Sequence, residues 1–255
     1  MKDQPIILSG PMVLATLEDR KTQTRRVIIP QPPPDPDEVF FWVQSDPVSA
    51  KIAPSGFWAR KHGAAGYLRF VAKCRYGQPD DRLWVRETWR IGAWDEDAGR
   101  ICVDYQADNS ARRDWLEVSD DHDGEKFNRY WMQTCDELEA KGIKRDGNGD
   151  YHWKPGESPC RWRPSIFMPR WASRITLEVT KIRTERLQQI SEEDAKAEGA
   201  KPAFESDDDG LVDRHPSYRN GFKCLWDSLN AKRAFGWDVN PWVGVLEFRI
   251  QESAA

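Results

Sequence analysis

The sequence predicts an α+β fold built as a small mixed β-barrel, and three observations carry that reading. Alternating apolar stretches are separated by short helical ones, with no regular βαβ succession. Two tracts, 31–75 and 109–160, lack clean periodicity and read as irregular insertions. No internal repeat is visible, so residues 1–255 are read as one domain carrying those two insertions.

Ser9-Gly10-Pro11 ahead of MVLATLEDRK starts a helix, because Ser9 can cap it and Pro11 suits an early helical position. Val13, Leu14 and Leu17 give that helix an apolar side. The proline cluster at 31–37 then breaks regular structure. Residues 80–89, DDRLWVRETW, alternate Leu83, Val85 and Glu87 against Trp84 and Arg86, which suits a strand. ICVDYQAD at 101–108 reads as a second strand, and a helix is expected near Glu125–Lys141. Ile175, Leu177 and Val179 mark a long strand. Ser191 and Asp194 form an S-x-x-D capping box for a helix that Gly199 can close. Tyr218, Phe222, Leu225, Trp226 and Leu229 fall at helical spacing, and Trp242, Leu246, Phe248 and Ile250 alternate as a closing strand.

Composition narrows the function classes. The net charge is −4, with 39% hydrophobic and 31% charged residues, and no apolar run is long enough to cross a bilayer. MKDQPIILSG lacks the basic start and long apolar stretch of a signal peptide, so a soluble, cytoplasmic protein without a membrane partner is expected. Five scattered Cys without a C-x-x-C pair argue against a disulfide framework or a structural zinc site. Four scattered His add no ligand pattern, and neither a metal nor a cofactor is expected.

Charge is distributed unevenly. DDHDGE at 120–125 and ESDDD at 205–209 are acidic, whereas Cys160–Arg174 carries four Arg and no acid. Such a segment can bind phosphate, with Trp162, Phe167 and Trp171 offering faces for bases. An Arg-laced loop with its rings in the core fits the same residues. Arg170 and Trp171, just before the long strand, are the pair expected to line a cleft.

The densest polar stretch is LEDRKTQTRRV at 17–27. If the helix persists to Thr24, Lys21 and Thr24 share a face; if the chain is already extended, Thr22 and Thr24 do. A helix-to-strand junction can therefore set an amine beside a hydroxyl, the arrangement of a Thr nucleophile with a Lys base. A basic helix end favoured by the macrodipole accounts for the same residues.

Taken in order, D-R-K-T-Q-T-R-R, P-D-D-R-L-W-V, L-Q-Q-I-S-E-E-D-A-K-A-E-G and W-V-G-V-L-E-F resemble the ASCH family, relatives of the PUA fold. The two insertions make the chain similar to its larger phage and prophage members. The family's G-x-K-x-x-x-x-R signature falls on Asp19, Lys21 and Arg26. Asp19 stands where the family has Gly, and Asp tolerates a left-handed turn better than most residues. The resemblance implies a β-barrel with helices at its rim and a basic cleft for RNA, a nucleoside or single-stranded nucleic acid. Bacterial members include an amidohydrolase of 4-acetylcytidine, which by similarity makes Thr24 the nucleophile, Lys21 the general base and Glu198 the general acid. Other members bind RNA or cut it. In each case Thr22, Arg25 and Arg26 would face the ligand. Glu87 is read as a structural or substrate-positioning acid, paired with Arg86 or Arg26.

The chemistry sets a demand. A Lys with pKa near ~10.4 must drop by roughly three units to act as a base near neutrality. Burial and neighbouring Arg push it down, and a Glu198 carboxylate pushes it up. Close together, the two groups would titrate as a pair.

Overall fold

A computed structural model describes residues 1–44, 53–63, 66–111, 114–118, 125–204 and 215–251. The chain opens with β1 (Asp3–Ile7), α1 (Gly10–Leu17), β2 (Gln23–Val27), β3 (Glu38–Trp42), β4 (Gly56–Lys61) and β5 (Tyr67–Ala72). It continues through β6 (Arg82–Arg86), β7 (Trp89–Asp95), β8 (Arg100–Tyr105), β9 (Ser110–Ala111), β10 (Leu116–Glu117) and α2 (Glu125–Ala140). The last third holds β11 (Thr176–Arg186), α3 (Glu192–Ala197), α4 (Tyr218–Asn230) and β12 (Trp242–Ile250). The fold is α+β, with more sheet than helix. Among the described residues the strands form open sheets, in the orders β1-β6-β11-β12-β2, β10-β8-β7 and β3-β4-β5, and no closed barrel.

Two compact units emerge. The first comprises Met1–Gln4, Ala15–Leu83 and Thr176–Ala255; the second comprises Pro5–Leu14 and Trp84–Ile175. In the first unit, β11 and β12 pair from Leu177↔Ile250 to Arg186↔Trp242, with a bulge between Val179 and Lys181. β2 adds to β12 from Val27↔Val243 to Gln23↔Glu247. Val243 and Val245 send one face of this sheet into a core with Leu187, Ile190, Phe222, Trp226 and Trp237. Ser191 caps α3 through its side chain, which accepts from the Asp194 amide at 3.1 Å.

The tract 31–75 is not an irregular insertion: it carries the β3-β4-β5 meander. Val39, Phe57 and Ala59 are buried there. The aromatic run Val39–Trp42 masks the two-residue period, since inward and outward positions are both apolar. In the second unit, β7 and β8 pair from Trp89↔Tyr105 to Asp95↔Arg100. Their core holds Trp89, Ile91, Ile101, Val103 and Tyr105 with Phe127 and Leu138 of α2. That helix lies where the sequence places it. The acidic tracts at 120–125 and 205–209 lie, Glu125 apart, outside the described residues. Among the described residues no helix is long and apolar enough to cross a membrane.

Gly221 of α4 lets the helix approach the chain after α3. A Cβ there would sit 1.7 Å from the Lys201 carbonyl oxygen. Since backbone rather than a flexible side chain is in the way, Gly221→Ala is expected to destabilise the fold by about 1–3 kcal/mol. A urea unfolding midpoint equal to that of wild type would show that the two backbones are not so close.

Candidate functional site

α1 ends at Leu17 and the chain turns through Asp19, which has a φ of 54°. Asp tolerates this left-handed conformation better than most residues. The amides of Arg20 and Lys21 both donate to the Ala15 carbonyl, at 2.8 and 2.9 Å, so the turn closes back on the helix. Lys21 then forms an antiparallel bridge with Glu198. Gly199, at φ 80°, makes that approach possible, because a Cβ there would lie 2.8 Å from the Ala15 Cβ and 3.1 Å from the Lys21 Cβ.

The Lys21 ammonium is only 2% exposed and all three of its protons have acceptors. Nζ donates to the Gln23 carbonyl at 2.8 Å, the Glu198 carbonyl at 2.7 Å and Glu198 Oε2 at 2.9 Å. The Glu198 carbonyl closes α3, so the cation also meets the negative end of a helix. The second Glu198 oxygen, Oε1, accepts from Arg25 Nη1 at 3.0 Å. A carboxylate at a helix C-terminus is disfavoured by the dipole; here two cations offset it, and Glu198 is buried rather than solvated.

Arg25 extends the cluster. Its guanidinium reaches Glu185 Oε1 through Nε at 2.8 Å and Asp194 Oδ2 through Nη2 at 2.7 Å. Arg183 binds the same Asp194 oxygen at 2.7 Å and Glu247 at 3.1 Å, and pairs with Glu185. The result is a continuous ionic network beneath α3. Burial lowers the Lys21 pKa below its ordinary value; Glu198 opposes this, and Arg26 and Arg25 reinforce it. Burial pushes the Asp194 carboxyl up, but Gln23, Arg183 and Arg25 outweigh it and leave the group below the usual carboxylate range.

Thr24 is 2% exposed and lies in β2 opposite Leu246. Side chains alternate along a strand, so Thr24 faces away from Gln23 and Arg25. Gln23 and Arg25 look toward α3; Thr24 shares the other face with Arg26, whose guanidinium lies 5.6 Å from the Tyr76 ring centroid. Thr22 is exposed, and its backbone bonds to Ala197 and Phe248. The structure thus brings Lys21, Arg25 and Glu198 together and places the Thr24 hydroxyl on the opposite side of the strand.

The remaining expected site residues lie in the second unit. Glu87 is 2% exposed and is held by Arg174, through Nε to Oε1 and Nη2 to Oε2, each at 2.9 Å. Its partner is therefore Arg174 and neither Arg86 nor Arg26. The same Arg174 reaches Asp108 at 2.7 Å and stacks 4.1 Å over the Tyr105 ring. Trp171 packs edge-to-face on Trp89 at 5.8 Å and on Tyr130 at 5.3 Å, a core role. Arg170 lies 6.0 Å from the Trp84 ring centroid.

The sequence reading missed Arg183, Glu185 and Asp194. Arg183 and Glu185, two residues apart in the polar second half of β11, were the available signal, whereas Asp194 reads from the sequence only as part of the α3 capping box. All five cysteines are free. Among the described residues one trio has metal-capable atoms within 4.8 Å of one another, Asp146, Asp150 and His152, all of them exposed.

Asp194 supplies a pH test. Its depressed pKa contributes stability that is present above the unfolded carboxylate pKa of about 4 and is lost as pH falls through the lower folded value. Asp194→Asn is expected to flatten the fall of the urea midpoint with pH below about 4. Parallel curves for the two proteins would remove Asp194 from the acid response. Searches against protein-family models, curated proteins and solved structures found no match to this chain.

Proposed function

We propose that this chain is an ASCH-type protein with a PUA-like barrel architecture. In this reading it hydrolyses an amide on a modified nucleoside or base, with Thr24 as nucleophile, Lys21 as base and Glu198 as acid. One observation supports this reading most. Lys21 and Glu198, paired by the resemblance from motifs 177 residues apart, lie 2.9 Å from each other in a buried setting.

That contact suits proton transfer. Moving one proton from Nζ to Oε2 leaves a neutral amine beside a protonated acid, the states that base and acid require. Burial lowers the Lys21 pKa and so favours that transfer, and the Arg25 guanidinium, 3.0 Å from Glu198 Oε1, opposes it. This route requires β2 to bring the Thr24 hydroxyl round from its opposite face to Lys21; Thr24 would then attack the amide carbonyl and yield its proton to Lys21, while Glu198 protonates the departing exocyclic nitrogen. Water then cleaves the acyl-threonine ester, one proton returning to Glu198 and one passing from Lys21 to the Thr24 oxygen.

A second reading is a non-catalytic module for RNA or single-stranded nucleic acid. It is favoured by the saturated Lys21 ammonium and by the placement of Thr24 away from it. A base with three bonded protons has no lone pair to offer until one of them moves.

Incubation of the pure protein with 4-acetylcytidine separates the two. Hydrolysis predicts release of cytidine, reduced by at least about a hundredfold in Lys21→Ala and in Thr24→Ala. No turnover, with oligonucleotide binding that weakens steeply with salt, selects the module instead. Absence of both activities rejects both readings.

A further inference from the structure

The second unit contains a cavity unconnected with the proposed chemistry. Trp94 of β7, Trp131 of α2 and Tyr151 and Trp153 after that helix line a space of about 240 Å³. Trp94 meets Tyr151 at 6.0 Å and Trp153 at 5.6 Å between centroids, with interplanar angles of 70° and 60°. Trp153 is anchored by its indole N–H, which donates to the Gly92 carbonyl. Three rings thus form a rigid corner at differing tilts, and Trp131 supplies a further wall from another element.

The charges around this corner favour one sign. Glu96 and Asp150 line the cavity with Arg145 and His152. Arg145 pairs with Glu139 at 3.3 Å and His152 with Asp146 at 2.8 Å, so both basic groups already face carboxylates. Asp95 and Asp97 flank Glu96 in the chain. A phosphate would meet repulsion here, which argues against a nucleotide. A cation would meet ring faces and carboxylates together. One cation already uses this chemistry: the Arg145 guanidinium lies 4.9 Å from the Tyr151 centroid.

We propose that this aromatic, acid-edged cavity binds an alkylated ammonium group, such as a trimethylammonium head. A volume below the ~300–1,000 Å³ of drug-sized sites suits a small head group better than a whole large ligand. Methyl groups let such a cation shed water easily and contact rings directly, whereas a bare ammonium stays strongly hydrated.

The test titrates the full chain with tetramethylammonium at constant ionic strength, read by tryptophan fluorescence and calorimetry. A near-isosteric neutral alcohol, 2,2-dimethylpropan-1-ol, in which carbon replaces nitrogen and one methyl carries a hydroxyl, and methyl glucoside serve as comparisons. Saturable binding is expected, about tenfold tighter than for the alcohol. Trp131→Ala should abolish it. The exposed pair of changes Glu96→Gln and Asp150→Asn should weaken it by about threefold without altering the circular dichroism. If Trp131→Ala does not fold, the carboxylate variant decides: unchanged affinity overturns the proposal. Lack of saturation by tetramethylammonium, equal binding of the neutral alcohol, or tighter binding of the glucoside overturns it as well.

Discussion

Glu198 is an acid with almost no contact with water, placed at the wrong end of a helix dipole, and the first unit is arranged around neutralising it. Lys21 arrives from the turn after α1 and Arg25 from β2, each taking one carboxylate oxygen. Both approaches depend on the backbone. Asp19 supplies the left-handed turn that aims Lys21, and Gly199 leaves the space into which Lys21 packs. Removing one partner would strand a buried charge, a loss of about 3–5 kcal/mol in comparable buried pairs. The geometry is therefore held by mutual need, since desolvation makes each of these ions unfavourable alone.

In the proposed reaction the same network would couple stability to chemistry. Arg25 bonds three carboxylates, Glu185, Asp194 and Glu198, and Arg183 bonds Glu185 and Asp194 from β11. A proton leaving Lys21 for Glu198 would cancel two charges at once, which burial rewards and Arg25 resists. Activity at this site would thus be set by the balance of two terms already visible at rest, burial and a guanidinium. The proposed reaction would further require the Thr24 hydroxyl, on the other side of β2, to be brought to both Lys21 and the substrate carbonyl.

Much of the frame was legible in the sequence. Recurring apolar positions exposed β11 and β12, the Ser191 box located α3, and spacing from Tyr218 to Leu229 located α4. Asp19 was legible as a residue type that tolerates a left-handed turn, and its φ of 54° matches that conformation. The β3-β4-β5 meander escaped because its aromatic run hides the two-residue period. Partner identity escaped for a different reason. Sequence gives a charge its sign but not its neighbour, so Glu87 pointed to adjacent Arg86 while the fold delivers Arg174 from 87 residues away. Arg183 and Glu185 read only as polar positions on a strand, and their roles depend on β2 and α3 arriving over the same face.

The central claim is that Lys21 and Glu198 act as one buried unit. A double-mutant cycle on unfolding free energy, using Lys21→Met, Glu198→Gln and the combined variant, measures this directly. The account predicts a coupling above about 1.5 kcal/mol between the two positions. Additivity within about 0.5 kcal/mol would contradict it.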